Sequence, residues 1–488
     1  MKSTQLIATI VVLSALLLTN CKPVEVDPDT YIRQTATDTL TLAQVRAFNR
    51  VDVPANLYLT DAGKQGLFVL DRADRNTEDN TGVVIVTATG RRFKRQFTGA
   101  AIASWFGIIP SDSDIGPELQ TAINATMGEL FIPDGQYTQQ TEVRMRSNLT
   151  LRGTAGKVTI TLPKSYVSLF SPVNAGPSFD NVLIEGINWV VTAKGAATYG
   201  VISIDGPTVN NLTVQNCRST DEAAEASTNF LTVKIQAGKT GKNILVQQND
   251  VRAKRMAFEI FNHDNFNVYA GQNIKVNNNM IHECTFGISL SGPLDGLLVS
   301  ENYVKNCSLY GVEIAGASKN VSILNNRFEG KFDKFIEGSN DGNGNGSIVG
   351  GLIITGNQTV GTCDGGIQLF NAGAAQFTNN TLNMTGRLEL LSPSSAGGVY
   401  ERNIIVSGAT HAIICDNAPN NTFRDNTISN KPSAGNVATF RAYGDKATGV
   451  VVANNRFSKG NGGVYFDAVS GASYSVTANT DETGKFIQ

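Results

Sequence analysis

Apolar and polar residues alternate in short runs along most of the chain, and each run ends on polar, often asparagine-rich, residues. The phrase "KNVSILNNRFEG", residues 319–330, is representative: Val321 and Ile323 alternate with Ser322, asparagines follow at 325 and 326, and Phe328 returns two places later. A two-residue period is that of a half-buried strand, whereas an amphipathic helix repeats every ~3.6 residues. Aligned on N-x-x-h-x-x-N, where h is apolar, the pattern gives thirteen copies. They open at residues 148, 181, 211, 243, 273, 296, 320, 351, 374, 403, 420, 449 and 473, spaced 17 to 33 residues apart. A period that varies in this range is the mark of a solenoid whose loops differ in length.

Two places after the terminal asparagine an apolar residue returns, as at Val251, Ile281, Val304, Phe328, Leu382, Ile428 and Phe457. Most copies carry a second strand phrase, usually after glycine: "GVISID", "FGISLSG", "YGVEIAG", "GGIQLF" and "GGVYFD". Asparagine tolerates left-handed backbone at a sharp corner, and stacked asparagines can satisfy one another's amides inside a wall. Two or three short strands per turn, with no helices between them, predict an all-β fold: a right-handed parallel β-helix of about a dozen coils. Helical repeat arrays and leucine-rich arrays lack their spacing here, and propeller blades are longer and more uniform.

Composition changes this picture little. The 40 Lys+Arg against 42 Asp+Glu leave no charge excess suited to nucleic acid, and 48 glycines with 14 prolines fit many tight turns. The N-terminus is more telling. "MKSTQLIATIVVLSALLLTNC" has a basic start at Lys2, an apolar run from Leu6 to Leu18 and then Cys21. This resembles a bacterial lipoprotein signal. It implies a signal peptide over residues 1–20, acyl chains on Cys21, export, anchoring to the outer membrane or cell surface, and a tether over residues 21–40. The five other cysteines are odd in number and show no CxxC spacing, so small buried thiols are expected.

Residues 105–153, "WFGIIPSDSDIGPELQTAINATMGELFIPDGQYTQQTEVRMRSNLTLRG", resemble the opening segment of pectate-lyase-like β-helix proteins, phage tail-spike relatives included. The resemblance implies a capping helix near Pro117–Thr126, with Pro117 in its first turn. The expected plan is a small β-rich lead-in module over residues 41–100, an opening segment with the capping helix over 101–146, and the β-helix over 147–488. The basic end of the lead-in module, Arg91, Arg92, Lys94 and Arg95, is read as a solvated strand face. One fold of this kind hosts many activities.

The resemblance implies substrate binding along one sheet, so the outward residues of the glycine-led strand are the candidates. Ile204, Ile235, Ile260, Leu290, Ile314, Leu369, Cys415 and Phe466 are taken as inward. The preceding outward positions are then Ser203, Lys234, Glu259, Ser289, Glu313, Gln368, Ile414 and Tyr465, with Asp205, Gln236, Phe261, Phe370 and Asp467 among the following ones. Two weaker turns add Glu337 and Glu389. Adjacent coils stack ~4.8 Å apart. Glu313 and Glu337, one coil apart, therefore approach the ~5–5.5 Å of retaining glycosidases, and Glu259 and Glu313, two coils apart, the ~9.5 Å limit of inverting ones. "FEIFNHDNF", residues 258–266, concentrates Glu259, His263 and Asp264 as acid, base and orienter, with His282 in the next coil. His411 reads as a structural residue.

The expectation is thus a surface-anchored, polysaccharide-active protein that cleaves glycosidic bonds by hydrolysis or β-elimination. Its catalytic candidates are Glu259, His263, Asp264, Glu313 and Glu337. Its binding candidates are Asp205, Lys234, His282, Gln368, Phe370 and Tyr465. Polygalacturonase-like D-D, G-H-G and R-I-K phrases are absent, and N-T-D occurs once, at 479–481 on a corner. A lyase of this superfamily implies Ca²⁺ and a basic residue, for which Lys234 beside Asp205, or Lys254 and Arg255 beside Glu259, are available. No short loop supplies enough carboxylates for Ca²⁺, so no metal site is assigned. The alternative is a non-catalytic carbohydrate binder or adhesin on the same coil. Expected partners are a polysaccharide, the membrane through Cys21, no nucleic acid, and further copies of the chain if it trimerises.

Overall fold

The computed structural model describes residues 38–49, 53–171, 178–194, 199–222, 228–252, 254–262, 268–339, 351–431 and 437–488. Cys21, the signal and most of the tether lie outside these residues, as do His263, Asp264 and the glycine-rich loop after Ser339. Among the described residues no helix is long and apolar enough to cross a membrane.

The first unit is a five-stranded sheet in the order Asp38–Leu40, Asn56–Leu59, Gly66–Asp71, Arg92–Arg95, Val84–Val86. Alternation in "NLYL" and "RFKR" puts Leu57, Leu59 and Phe93 on one face, where they pack with Val45, Phe68 and Ile85. The basic end is neutralised from within. Lys94 pairs with Asp71 and Asp74 at 2.8 and 2.9 Å. Arg95 donates to the carbonyls of Gln65 and Lys64, its guanidinium 4.6 Å from the Phe68 ring centre.

The second unit is the solenoid. A helix, Gly116–Ala125, carries Pro117 in its first turn and buries Leu119, Ala122 and Ile123. From Leu149 on, each coil contributes strands to parallel ladders. One ladder is a separate 15-stranded sheet. The other two are joined into a 26-stranded sheet, because in two coils their strands run together as Arg327–Ser339 and Gln358–Phe370. Inward positions are aliphatic or aromatic, and stack as in Trp189–Phe230–Phe258 and Phe377–Tyr400–Phe423. Each such buried side chain stabilises the coil by about 1.5–3 kcal/mol.

The corner after the first ladder separates two jobs that the sequence pattern merges. The penultimate residue of most phrases takes the left-handed conformation: Asn278, Asn325, Asn379 and Asn454 have φ between 55° and 57°, and Gly356 has φ 70°. The terminal asparagine does not. It turns into the coil, so Asn249, Asn279, Asn302, Asn326, Asn357, Asn380, Asn403, Asn426, Asn455 and Asn479 form one buried column. From Asn279 on, each Oδ1 accepts from the preceding coil's asparagine, both the backbone N–H and the Nδ2, at Asn326 from Asn302 at 3.0 Å each. Each Nδ2 also donates to a carbonyl of the preceding coil, as Asn326 does to Val299 at 2.9 Å. The column meets the rule that buried polar groups find partners, and Asn479 of the lone N-T-D is its last member. Asn403 is a terminal residue here, so the tenth copy begins at Gly397, and Ile404–Ser407 belongs to the next ladder. The five described cysteines are buried and unpaired.

Candidate active site

The third ladder brings one outward position of every coil into a single file. Its register runs Ser203, Thr232, Glu259, Ser289, Glu313, Glu337, Gln368, Glu389, Ile414, Arg441, Asp467. Four of these eleven are glutamates, all within the six successive coils from Glu259 to Glu389. Two residues further along the strand a second file runs Asp205, Lys234, Phe261, Ser291, Ala315, Ser339, and it resumes with Phe370, Leu391, Asp416.

Two sequence assignments shift. Val233, not Ile235, pairs with Ile204 and Ile260, so Lys234 leaves the glutamate file for that of Asp205 and Phe261. Asp467, not Tyr465, is the last member of the glutamate file, where Arg441 holds it. Both errors are slips of two residues. Such a slip preserves which side a residue faces, so alternation alone cannot detect it, and Ile235 is itself buried at the next corner against Gly241. Asp205 accepts from Gln236 Nε2 at 2.7 Å.

Other candidates fall elsewhere. His282 lies on the second ladder and meets Asp250 at 2.9 Å, so it does not join Glu259. Lys254 is fully buried inside the coil, where its Nζ donates to Thr228 Oγ1 at 3.1 Å and burial lowers its ammonium to about 8. An interior amine cannot serve as base to an outside sugar. His411 is buried, its Nδ1 2.8 Å from the Ala438 carbonyl oxygen, and burial lowers its pKa.

The glutamates of the file have different surroundings. Glu259 accepts from Asn229 Nδ2 at 2.7 Å and Thr232 Oγ1 at 3.3 Å, yet burial, which outweighs the nearby Arg255 charge, raises its pKa. Glu313 is raised by burial and opposed by the Ser289 hydroxyl, which donates to it at 2.5 Å, and by Arg255. Glu337 is 3 % exposed, and burial with the charge of Glu313 pushes it up to about 8 against the single hydroxyl of Ser339. At neutral pH Glu337 therefore holds a proton. Glu389 is matched by Arg387. Rings flank the file: Phe286 and Tyr310 meet edge to face at 5.5 Å, and Arg255 lies 5.9 Å from the Phe286 centroid. Burial and the charges of Glu337 and Glu313 raise the Tyr310 phenol. Thr232 was not legible as a site residue because only the strand register aligns it with Glu259, and Asn229, Phe286 and Tyr310 because they share a separate position three residues earlier in the strand.

Among the described residues no group of three or more His, Cys, Asp or Glu side chains is gathered as metal ligands are. The file offers one carboxylate per coil and not the oxygen-rich cage that Ca²⁺ takes. The donors a Ca²⁺-dependent lyase requires are thus not assembled by these side chains.

Comparison with known proteins agrees with this architecture. The family model "Phage tail protein small four-stranded beta-sheet domain" matches residues 39–98. Among solved structures, the Agl-KA catalytic domain is 13 % identical with a TM-score of 0.51, covering 79 % of this chain and 71 % of that one. The Acinetobacter baumannii phage AM24 tailspike protein is 14 % identical with a TM-score of 0.43, covering 89 % of this chain, which spans 65 % of the tailspike's length. The catalytic unit of an α-1,3-glucanase from Streptomyces thermodiastaticus is 13 % identical with a TM-score of 0.45, covering 81 % and 74 %. At such identities the likeness is one of fold. The family model "Right handed beta helix region" matches residues 178–382 and 341–482, more than half of the sequence and the same stretch that holds the asparagine column and the glutamate file. The chain belongs to the right-handed β-helix family.

Proposed function

We propose that the protein hydrolyses a polysaccharide laid along the third ladder, with Glu337 as general acid and Glu313 as nucleophile. The observation that carries this reading is the pairing of Glu313 with Glu337 on adjacent coils, one donor-supported and the other held protonated. Two carboxyl groups whose surroundings push their titrations apart divide the acid and base roles between them. A one-coil separation of ~4.8 Å corresponds to retention. In the first step the Glu337 proton passes to the glycosidic oxygen while the Glu313 carboxylate bonds to the anomeric carbon, releasing one chain end. In the second, the Glu337 carboxylate takes a proton from water, whose oxygen displaces Glu313 and completes the hydrolysis. Glu259, two coils from Glu313, orients the sugar through hydroxyl contacts.

Elimination is disfavoured by the same file. A uronate carboxylate ~5 Å from an ionised glutamate meets a repulsion of about 3 kcal/mol at an effective dielectric of ~20. Lys334 and Arg387, the cations nearest Glu337 and Glu389, are already paired with Asp333 and Glu389.

The test is a panel of neutral and acidic polysaccharides assayed for reducing ends and for unsaturated products, with Glu337→Gln and Glu313→Gln alongside. The reading expects reducing ends only, lost in both variants while polysaccharide binding persists. Binding without turnover in the wild type overturns it in favour of an adhesin, and unsaturated products overturn it in favour of a lyase. For the N-terminus we propose acylation of Cys21 after removal of residues 1–20. The apolar run and the cysteine support it, and fatty-acid labelling that persists in Cys21→Ser would refute it.

A further inference from the structure

Beyond the glutamates the ladder is bordered by a cleft of about 480 Å³ whose lining includes Phe370, Leu391, Pro393, Asp416, Asn417 and Asp445. Its size falls in the range of small-molecule sites, roughly 300–1,000 Å³. Phe370 lies two residues beyond Gln368, the partner of Glu337, so the cleft begins one coil past the proposed acid. Phe370, Leu391 and Asp416 occupy successive coils of the second file. The loop residues Asn417 and Asp445 rise beside them, and the Asn417 amide donates to Asp416 at 2.9 Å.

We infer that this cleft is a sugar-ring subsite on the C-terminal side of the cleavage point and that it takes a neutral hexose unit. The inference rests on the hydrolase reading for what the subsite serves. The chemistry of the wall is two-sided. Phe370, Leu391 and Pro393 offer an apolar face for the C–H side of a pyranose, while Asp416, Asn417 and Asp445 offer acceptors and an amide for its hydroxyls. Ligand sites combine such an apolar lining with a few oriented polar groups. A uronate is a poor occupant, since two aspartates face a single lysine, Lys446, in the lining. Glu389 stands two residues before Leu391 on the same strand, and Glu337 one coil before Gln368. A ring held here sits one to three coils, ~5–14 Å, from Glu337 along the solenoid axis, as the unit next to a scissile bond or the one beyond it would.

The experiment compares Phe370→Ala and Asp445→Asn with wild type on a glucan, a galactomannan and polygalacturonate, and on size-graded oligosaccharides of whichever neutral polymer is cleaved. Expected is a roughly tenfold rise in KM for the longer oligosaccharides, with kcat and the KM of the shortest cleaved one unchanged, and a shifted product-length pattern. Lys275→Ala, on the first ladder, should leave every parameter in place. Equal KM at all lengths in both variants, or preference of the wild type for polygalacturonate, overturns the subsite. If no polymer is cleaved, the hydrolase reading fails, and affinity electrophoresis decides the cleft separately. Loss of retardation by a neutral polymer in Phe370→Ala keeps the subsite, and unchanged or absent retardation removes it. Asp445→Asn, on an exposed loop, keeps the test valid should Phe370→Ala fold poorly.

Discussion

Two files run along the same solenoid, one of unbroken asparagines and one in which Ser289 and Gln368 interrupt the glutamates, and they behave in opposite ways. The asparagines from Asn249 to Asn479 point inward and close a continuous chain of hydrogen bonds. The glutamates from Glu259 to Glu389 point outward. An amide carries donors and an acceptor, so identical copies stacked ~4.8 Å apart complete one another. Ionised carboxylates only accept, and two of them at that distance repel by about 3 kcal/mol at an effective dielectric of ~20. The second column therefore persists through a retained proton on Glu337, a hydroxyl on Glu313, two donors on Glu259, and the charges of Arg255 and Arg387. Repetition that satisfies itself builds a wall, and repetition that cannot do so leaves groups ready for a ligand.

The sharpest break of the comparison is chemical. Glu337→Gln keeps the shape and removes the acid, so kcat should fall about 10³-fold or more, the size expected for general acid catalysis, with substrate binding kept. Steady-state kinetics with a binding assay check this, and Glu313→Gln should match it. Asn326→Ala breaks the inward column instead. It orphans the Asn302 backbone N–H and removes three further bonds, which at about 1–3 kcal/mol for an orphaned buried group amounts to roughly 4 kcal/mol in all. Its neighbour gives the contrast: Asn325→Gly should stay within about 0.5 kcal/mol, because the next coil already places Gly356 at the equivalent left-handed position. Urea denaturation and amide exchange of these coils separate the two.

Protonation gives a third contrast. Folded Glu337 keeps its proton to about pH 8, whereas the unfolded chain releases it near the ordinary glutamate value of 4.5. Between those values the folded state binds more protons, so stability falls as pH rises. Glu337→Gln should remove this slope, matching wild type near pH 4 and exceeding it by about 4 kcal/mol at pH 8. The asparagine column carries no such dependence, so variants there should shift stability equally at both pH values. Turnover should decline as pH rises through about 8, when the acid is lost.

The fold was legible because a two-residue period with recurring asparagines is a local signal repeated in every coil. The asparagine column was legible for the same reason, although which of two adjacent residues bends the backbone and which enters the core was not. Glu259, Glu313 and Glu337 were readable as a file, since each follows a recognisable inward aliphatic phrase. Lys234 and Tyr465 were misplaced because period two fixes the face of a residue and not its position along the strand. His282 was misassigned because closeness in sequence to the Glu259 coil does not decide which ladder it joins.

That misassignment supplies the smallest expected effect. His282 and Asp250 pair on the second ladder with Arg218 and Arg252 nearby, and the hydrogen bond from His282 is the largest of the causes that lower the Asp250 carboxyl. The pair is half-exposed, and surface ion pairs contribute about 0–1 kcal/mol. His282→Ala should therefore cost at most about 0.5 kcal/mol in urea titration and leave turnover unchanged. A loss of turnover comparable to that of Glu337→Gln would show that the second ladder's face takes part in the reaction, and the division between a file that acts and faces that merely support it would have to be redrawn.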